Sequence, residues 1–242
     1  MSRLQATGYV IHRRPYRETS LLVDFFTRQY GRISAVAKGA RGNNKSDRKS
    51  LIQPLQLLSF ELSGRTQLKN LGLAEALQSA WQLKGSCFYS AFYMNELLVR
   101  ALPETEPASL LFEQYQQCLQ QLSEISNASV EQAHSLERIE ICLRSFELML
   151  LQELGYLPDF SHDAETAKPI QADGFYTFIA EQGFISCPAL QPYVLKGEDL
   201  LAIDARHFSK SARKTAKFIC RQALLPIIGD KPLKSRELFI QS

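Results

Sequence analysis

The chain has 242 residues, 45% of them hydrophobic and 22% charged, a composition that excludes wholesale disorder and is long enough for two domains with a sizeable core. No apolar run approaches the roughly 18 residues needed to cross a bilayer, and Met1 to Thr7 has no apolar core behind Arg3, so no membrane association and a cytoplasmic location are expected. The formal charge is only +3, but it is segregated. Residues 1–80 hold 13 Lys and Arg against 5 Asp and Glu, residues 81–205 hold 6 against 18, and residues 206–242 hold 9 against 2. Two basic ends around an acidic middle suggest more than one polyanionic partner. Cys87, Cys118, Cys142, Cys187 and Cys220 are odd in number, scattered and without a CxxC pair, which predicts reduced thiols buried mostly in helices.

The first 75 or so residues read as strands. Gly8 to His12 is a short apolar run, and Ser20 to Thr27 alternates, with Leu21, Val23 and Phe25 on one face and Leu22, Asp24 and Phe26 on the other. Tyr30-Gly31 turns into the run Arg32 to Ala37. Leu51 to Leu62 is expected as one longer extended run, with Pro54 marking an edge or bulge, and Gln67 to Glu75 as the last strand. Five short strands without helical periodicity predict a small closed barrel, of which the oligonucleotide-binding (OB) barrel is the common type and an SH3-like barrel the alternative.

After Trp81 the period becomes helical. Ser86 to Leu102, closed by Pro103, and Ala108 to Leu122 are two helices. A third follows a capping box at Ser129 to Gln132 and carries the stripe Leu136, Ile139, Leu143, Phe146, Leu150 and Leu154, with Gly155 as its left-handed end. Residues 156–195 lose the period, and Phe175 to Ile179 with Phe184 to Ser186 forms a hairpin. Ser211 to Leu225 is a helix with Ala212, Ala216, Ile219 and Ala223 inward and Lys210, Arg213, Lys214, Lys217 and Arg221 outward; Ser235 to Ile240 is a last short one. The fold expected is α+β, a five-stranded OB barrel (residues 1–80) followed by a mostly helical domain (residues 81–242) with a small hairpin.

Catalytic signatures are missing from the sequence. There is no phosphate-binding Gly-rich loop, no GxGxxG after a strand and no HExxH. His12, His134, His162 and His207 are far apart, and Glu137, Glu140 and Glu147 read as a solvated helix face. No cofactor is expected. Nucleic-acid chemistry is better supported. The segment Ala37 to Ser50 has no apolar residue larger than alanine and carries five cations, Lys38, Arg41, Lys45, Arg48 and Lys49, against one acid. Arg13, Arg14, Tyr16 and Arg17 form a basic turn with an aromatic, as do Arg28, Tyr30 and Arg32. Guanidinium groups take phosphates and a tyrosine can stack on an unpaired base. The candidate DNA-binding residues are therefore Arg13, Arg14, Tyr16, Arg17, Arg28, Arg32, Lys38, Arg41, Lys45, Arg48 and Lys49. An OB-fold RNA-binding or ribosome-associated protein fits barrel and charge equally well.

The segments Arg14 to Leu22, Gly31-Arg32, Val36 to Arg41, Leu51 to Leu55, Tyr93 to Leu98, Phe146 to Leu148, Leu154 to Tyr156 and Gly229 to Phe239 together resemble the RecO family of bacterial recombination mediators, in order along nearly the whole chain. The resemblance implies a non-enzymatic, nucleoid-associated protein of recombinational DNA repair. Such a protein binds single- and double-stranded DNA, anneals complementary strands, binds the acidic C-terminal tail of the single-strand-binding protein SSB, and acts with RecR, and in some settings RecF, to load RecA. A receptor for an acidic tail with an apolar end needs cations around an apolar pocket, for which Arg144, Phe146, Arg213, Lys214, Lys217 and Arg221 are the candidates. Many family members carry a four-cysteine zinc module after the Leu-Gly-Tyr segment. Here residues 157–195 offer only His162 and Cys187, short of the four ligands of a closed zinc site, so this insert is expected to fold without metal.

Overall fold

The computed structural model describes residues 3–41, 48–128, 132–190 and 193–240. Five strands, β1 (Arg3–Tyr16), β2 (Ser20–Thr27), β3 (Gly31–Ala37), β4 (Leu57–Ser63) and β5 (Lys69–Ala76), close into a barrel in the order β1-β2-β3-β5-β4. All pairings are antiparallel except β3 with β5, which is the OB topology. A four-residue helix, α1 (Arg48–Leu51), stands between β3 and β4. The extended run expected from Leu51 is therefore corrected. Leu55 adopts φ 70° just after Pro54, a turn between α1 and β4; Ile52 and Leu55 are buried, and β4 begins only at Leu57.

The barrel interior is filled by the inward residues of each strand, among them Val10, Val23, Phe25, Ile33, Leu58, Phe60 and Leu62. Phe25 and Phe60 stack with centroids 4.2 Å apart. Strand β2 is buried on both faces, although its alternation, with Asp24 among the outer residues, would suit a half-solvated strand. Helix α3 (Ser109–Asn127) packs on its outer face at Phe26, and helix α2 (Gly85–Ala101) packs against β1. Tyr9 and Phe26 pack on Phe112 and Tyr115 of α3 at 5.3–5.8 Å between ring centroids, and the Tyr115 hydroxyl donates to Asn95 of α2. Such aromatic pairs add roughly 0.5–1.5 kcal/mol each beyond the area they bury.

By internal contacts the chain forms two compact units, residues 1–131 with 232–242, and residues 132–231. The first holds the barrel, α2, α3 and the C-terminal helix α7 (Lys234–Ile240), so that by contacts α2, α3 and α7 group with the barrel. Glu96 of α2 caps α7, accepting from the Lys234 and Ser235 amides and from the Ser235 hydroxyl. Burial alone would raise its pKa, but these bonds and Arg100 hold it below the usual range.

The second unit contains α4 (Gln132–Glu153), β6 (Phe175–Ile179), β7 (Gly183–Ser186), β8 (Leu195–Lys196), α5 (Gly197–Asp204) and α6 (Lys210–Ile228). Its sheet runs β7-β6-β8, the expected hairpin plus one two-residue strand. Helix α4 packs against α6. Of the capping box expected at Ser129 to Gln132, residues 129–131 lie outside the described residues, and α4 begins at Gln132. The Asp163 carboxylate organises the segment between α4 and the sheet. It accepts from the Glu165 and Thr166 amides, the Thr166 hydroxyl and the Ser186 amide. Against the opposing effect of burial, these donors pull its pKa down to about 2. Four of the five cysteines, in α2, α3, α4 and α6, are buried. No helix among the described residues is long and apolar enough to cross a membrane.

Candidate nucleic-acid interface

An OB barrel usually offers oligonucleotides the outer face of its second and third strands and the loops between strands 1–2 and 4–5. Here the outer face of β2 is buried, under α3 at Phe26, which leaves the loop ends. The two ends of β2 and β3 differ sharply.

At one end three segments converge: the β1–β2 turn, residues 17–19; the start of the β3–α1 loop, residues 38–41; and α1 with the turn after it. The Arg41 amide donates to the Thr19 carbonyl at 2.9 Å, and its guanidinium reaches the Arg17 carbonyl at 3.3 Å. Arg13 Nη1 donates to the carbonyls of Lys49 and Ile52 at 3.0 and 2.7 Å. Arg13 is thus the clamp that fixes α1 against β1, and its part-buried guanidinium is committed to backbone. The side chains of Arg14, Arg17, Lys38, Arg41 and Lys49 are exposed. Arg17 lies over the half-buried Tyr16 ring, its guanidinium carbon 5.4 Å from the centroid, a cation–π pair that holds the arginine on the rim. Lys45 is outside the described residues, and only the backbone of Arg48 is described. The structure therefore brings Arg14, Tyr16, Arg17, Lys38, Arg41 and Lys49 to one end, with Arg13 beneath them.

At the other end the cations are answered by acids. Arg28 pairs with Glu113 of α3. Arg32 donates Nε to the Leu102 carbonyl at 2.9 Å and Nη1 to Glu104 at 3.2 Å, with Asp24 at 3.9 Å. The Ser34 hydroxyl lies within 2.7 Å of both carboxylates. It has one proton to give, so the Arg32 charge is what lets the two acids lie together. Burial pushes the Asp24 carboxyl up, but the hydrogen bonds from His12 and Ser34 and the charges of His12 and Arg32 outweigh it and hold it below its ordinary pKa. Gly31 closes this end at φ 60°. A Cβ there would sit 1.7 Å from the Glu106 carbonyl oxygen, so only glycine admits the strap at residues 104–106. Arg28 and Arg32, counted among the candidate DNA ligands from sequence, are paired with carboxylates at this end.

The six candidates for an acidic tail are also sorted. Arg144 and Phe146 are buried, and Arg144 forms an ion pair with Glu147 on its own helix. Glu147 is buried too, which corrects its reading as part of a solvated face. Arg213, expected outward, is buried and held by Glu137, Glu140 and the Phe208 carbonyl. Lys214, Lys217 and Arg221 remain exposed on α6. The sequence missed Tyr193, which is 80% exposed at φ 61° and stacks parallel to Phe218 at 6.3 Å. A tyrosine held in the left-handed region and turned to solvent was detectable only from its backbone geometry. His162 is hydrogen-bonded with Asp159 and Ser161, and the Cys187 amide donates to the Phe175 carbonyl. Among the described residues no three His, Cys, Asp or Glu side chains gather as a metal site.

Topology and charge together define an OB-barrel protein with a cationic rim. The family model for the N-terminal part of recombination protein O matches residues 1–80, and the model for its C-terminal part matches residues 85–237. The chain is 44% identical to the DNA repair protein RecO of Alteromonas mediterranea, over 96% of this chain and 95% of that one. It is 44% identical to the Haemophilus influenzae protein of the same name, over 97% and 95%, and 42% identical to that of Pseudoalteromonas atlantica, over 100% and 96%. The chain belongs to the RecO family of DNA repair proteins.

Proposed function

We propose that this protein is a non-enzymatic DNA-binding recombination mediator. It binds single- and double-stranded DNA through the cationic rim, anneals complementary strands, and works with RecR and RecF to load RecA on SSB-coated DNA. The observation that carries this reading is the convergence of the exposed cations Arg14, Arg17, Lys38, Arg41 and Lys49 on one barrel end, beside the half-buried Tyr16 ring. Two complementary strands repel through their phosphates. Cations that neutralise both, without reading base edges, remove that barrier and leave pairing to the bases. Nothing is cleaved or joined, so the protein needs no nucleophile and no metal.

The tail of SSB is the proposed second ligand. Support comes from the exposed cations Lys214, Lys217 and Arg221 of α6 and the Tyr193–Phe218 ring pair in the same unit; Arg144, Phe146 and Arg213 serve beneath the surface. The test is annealing of two complementary oligonucleotides, bare and coated with SSB. The reading requires faster annealing in both conditions. Acceleration of bare strands alone would leave DNA binding but remove the SSB partnership, and no acceleration of either would leave an OB-fold RNA-binding protein as the better description.

A further inference from the structure

The cations of the barrel are unevenly placed. Residues 1–80 hold 13 Lys and Arg, yet residues 4–11, 53–63 and 71–83 contain none, and the only acids in those three segments are Glu61 and Glu75. The fold brings the three together: β4 pairs with the first half of β1 on one side and with β5 on the other. Leu58, Phe60 and Leu62 of β4 belong to the barrel core, and Ala74 of β5 packs against it. By the alternation of a strand, Leu57, Ser59 and Glu61 therefore turn outward, and so do Leu73, Glu75 and the adjoining Leu77. The register sets Thr7, Ser59 and Glu75 in one row and Gln5 beside Glu61 in the next, with Gly72 against the Glu61 side chain. The Leu77 amide donates to the Leu57 carbonyl, which carries the ladder one residue past β5.

This outer face is open. Leu73 and Leu77 are 66% and 53% exposed, and Gln5, Ser59, Gly72 and Glu75 are exposed as well. The row beside Glu75 holds only the short side chains of Ser59 and Thr7. The two leucines thus stand as an apolar ridge along β5 over a low floor, with one carboxylate between them and another on the next strand. A single exposed leucine is ordinary. Two on one face of one strand, on a surface without a cation in a barrel otherwise rich in them, mark a surface built for something other than DNA.

We infer that the outer face of β1, β4 and β5 is a docking surface for an amphipathic helix of a protein partner, which presents an apolar residue, a lysine or arginine, and a second apolar residue at positions i, i+4 and i+8. Along a strand the residues of one face recur about every 7 Å, and along a helix positions four apart recur about every 6 Å. A helix laid along β5 therefore sets its two apolar residues on Leu73 and Leu77 and its cation on Glu75, while Glu61 on the neighbouring strand favours a further cation on the helix flank. Charge selects the occupant. A nucleic acid meets two carboxylates here and no cation. A second copy of this chain, related by a two-fold axis, would bring the same glutamates together.

The probe is a blocked, alanine-based peptide of about 18 residues, long enough to hold a helix in water, with leucine, lysine and leucine at i, i+4 and i+8. Its control has the same composition with the lysine moved to i+2, on the opposite side of the helix. Titrated into the isotope-labelled full chain, the probe should shift the amides of residues 57–61 and 72–77. The control should bind about fivefold more weakly, as the loss of one exposed ion pair allows. Glu75→Lys replaces an attraction by a repulsion and should weaken the probe about tenfold, while a peptide with glutamate at i+4 should now bind as the probe binds the unaltered chain. Leu77→Ser, at an exposed position, should weaken the probe to a similar degree. Shifts confined to other parts of the chain, equal affinity for probe and control, or unchanged affinity in Glu75→Lys overturns the inference. So do the same shifts on adding a thymidine oligonucleotide, and so does a dimer of the free chain that Leu77→Ser dissociates, which gives the face to a second copy.

Discussion

The two ends of the barrel use their arginines in opposite ways. At the rim formed by residues 14–19, 38–41 and 49 the cationic side chains are exposed, and the guanidinium groups of Arg41 and of Arg13 beneath it donate to carbonyl oxygens, which leave their charge uncancelled. At the end formed by residues 28–34 and 104–113, each arginine meets a carboxylate. The first arrangement gives a positive field that steers and grips a polyanion; the second spends its charge within the fold. A count of cations along the sequence cannot separate the two, because the acids that neutralise Arg28 and Arg32 lie 70 or more residues away, on Glu104 and Glu113.

The largest expected effect follows from removing the free charges. Replacing Arg14, Arg17, Arg41 and Lys49 together by alanine should reduce the slope of log affinity against log salt by roughly 3, at roughly 0.7–0.9 per phosphate contact. The fold should persist, since none of the four is buried. Salt titrations of a fluorescent single strand would show this. An unchanged slope would mean that the rim does not meet DNA and that the contrast between the ends has no functional content. Arg13→Ala is a useful companion. Its guanidinium holds α1 through two carbonyls, so it should lower stability by about 1–2 kcal/mol and weaken DNA binding by releasing α1 rather than by losing one contact.

The second effect lies at the opposite end and in stability. Arg32→Ala leaves Asp24 and Glu104 beside one another with their cation gone, and should destabilise the first unit by about 2–4 kcal/mol in urea unfolding, with the salt slope of DNA binding unchanged. The pH dependence sharpens the same point. Asp24 is held below its ordinary pKa, so its contribution to stability is present above about pH 4, where the unfolded carboxyl is ionised, and is lost as pH falls through the folded value. Asp24→Asn should flatten the acid limb of the stability curve. If instead Arg32→Ala lowers the salt slope by a full contact, Arg32 is a phosphate ligand after all.

How far the sequence exposes this arrangement depends on the element. Strand β2 was legible to the residue, because Ser20 to Thr27 alternates cleanly and is bounded by turns. Strand β1 is 14 residues long, and only Gly8 to His12 was visible, because its second half, His12 to Tyr16, is polar and contains Pro15, composition that reads as loop. It pairs all the same with β2 through Tyr16 and Ser20. The extended run from Leu51 failed for a different reason: apolar residues that plug a barrel end have no period, and only the positive φ at Leu55 reveals the turn. On α6 the helical period placed Ala212, Ala216, Ile219 and Ala223 inward correctly. It also put Arg213 outward, since charge alone cannot announce that Glu137 and Glu140 of α4 will receive it. The Asp163 hub was invisible, because four donors converge on it from residues 165, 166 and 186 and no pattern of spacing marks them. Asp163→Asn should therefore cost about 1–3 kcal/mol in the second unit, a loss that no sequence pattern announces.

The smallest expected effect tests the boundary between the two ends. Arg28 and Glu113 are both largely exposed, with side chains 57% and 45% accessible, and pairs of this kind contribute about 0–1 kcal/mol. Glu113→Gln should accordingly change stability by less than about 0.5 kcal/mol. It frees one positive charge at the end away from the proposed DNA rim, so low-salt affinity should rise by less than about twofold. That gain should fade near 0.15 M salt, where charges more than about 8 Å apart are screened. The outcome to watch is the salt slope. A released Arg28 that stays off the phosphate path leaves it where it was. A rise of about 0.7–0.9 means that one new phosphate contact has formed; the neutralised end would then border the DNA track, and Glu113 would be a charge that limits the protein's grip on the strand.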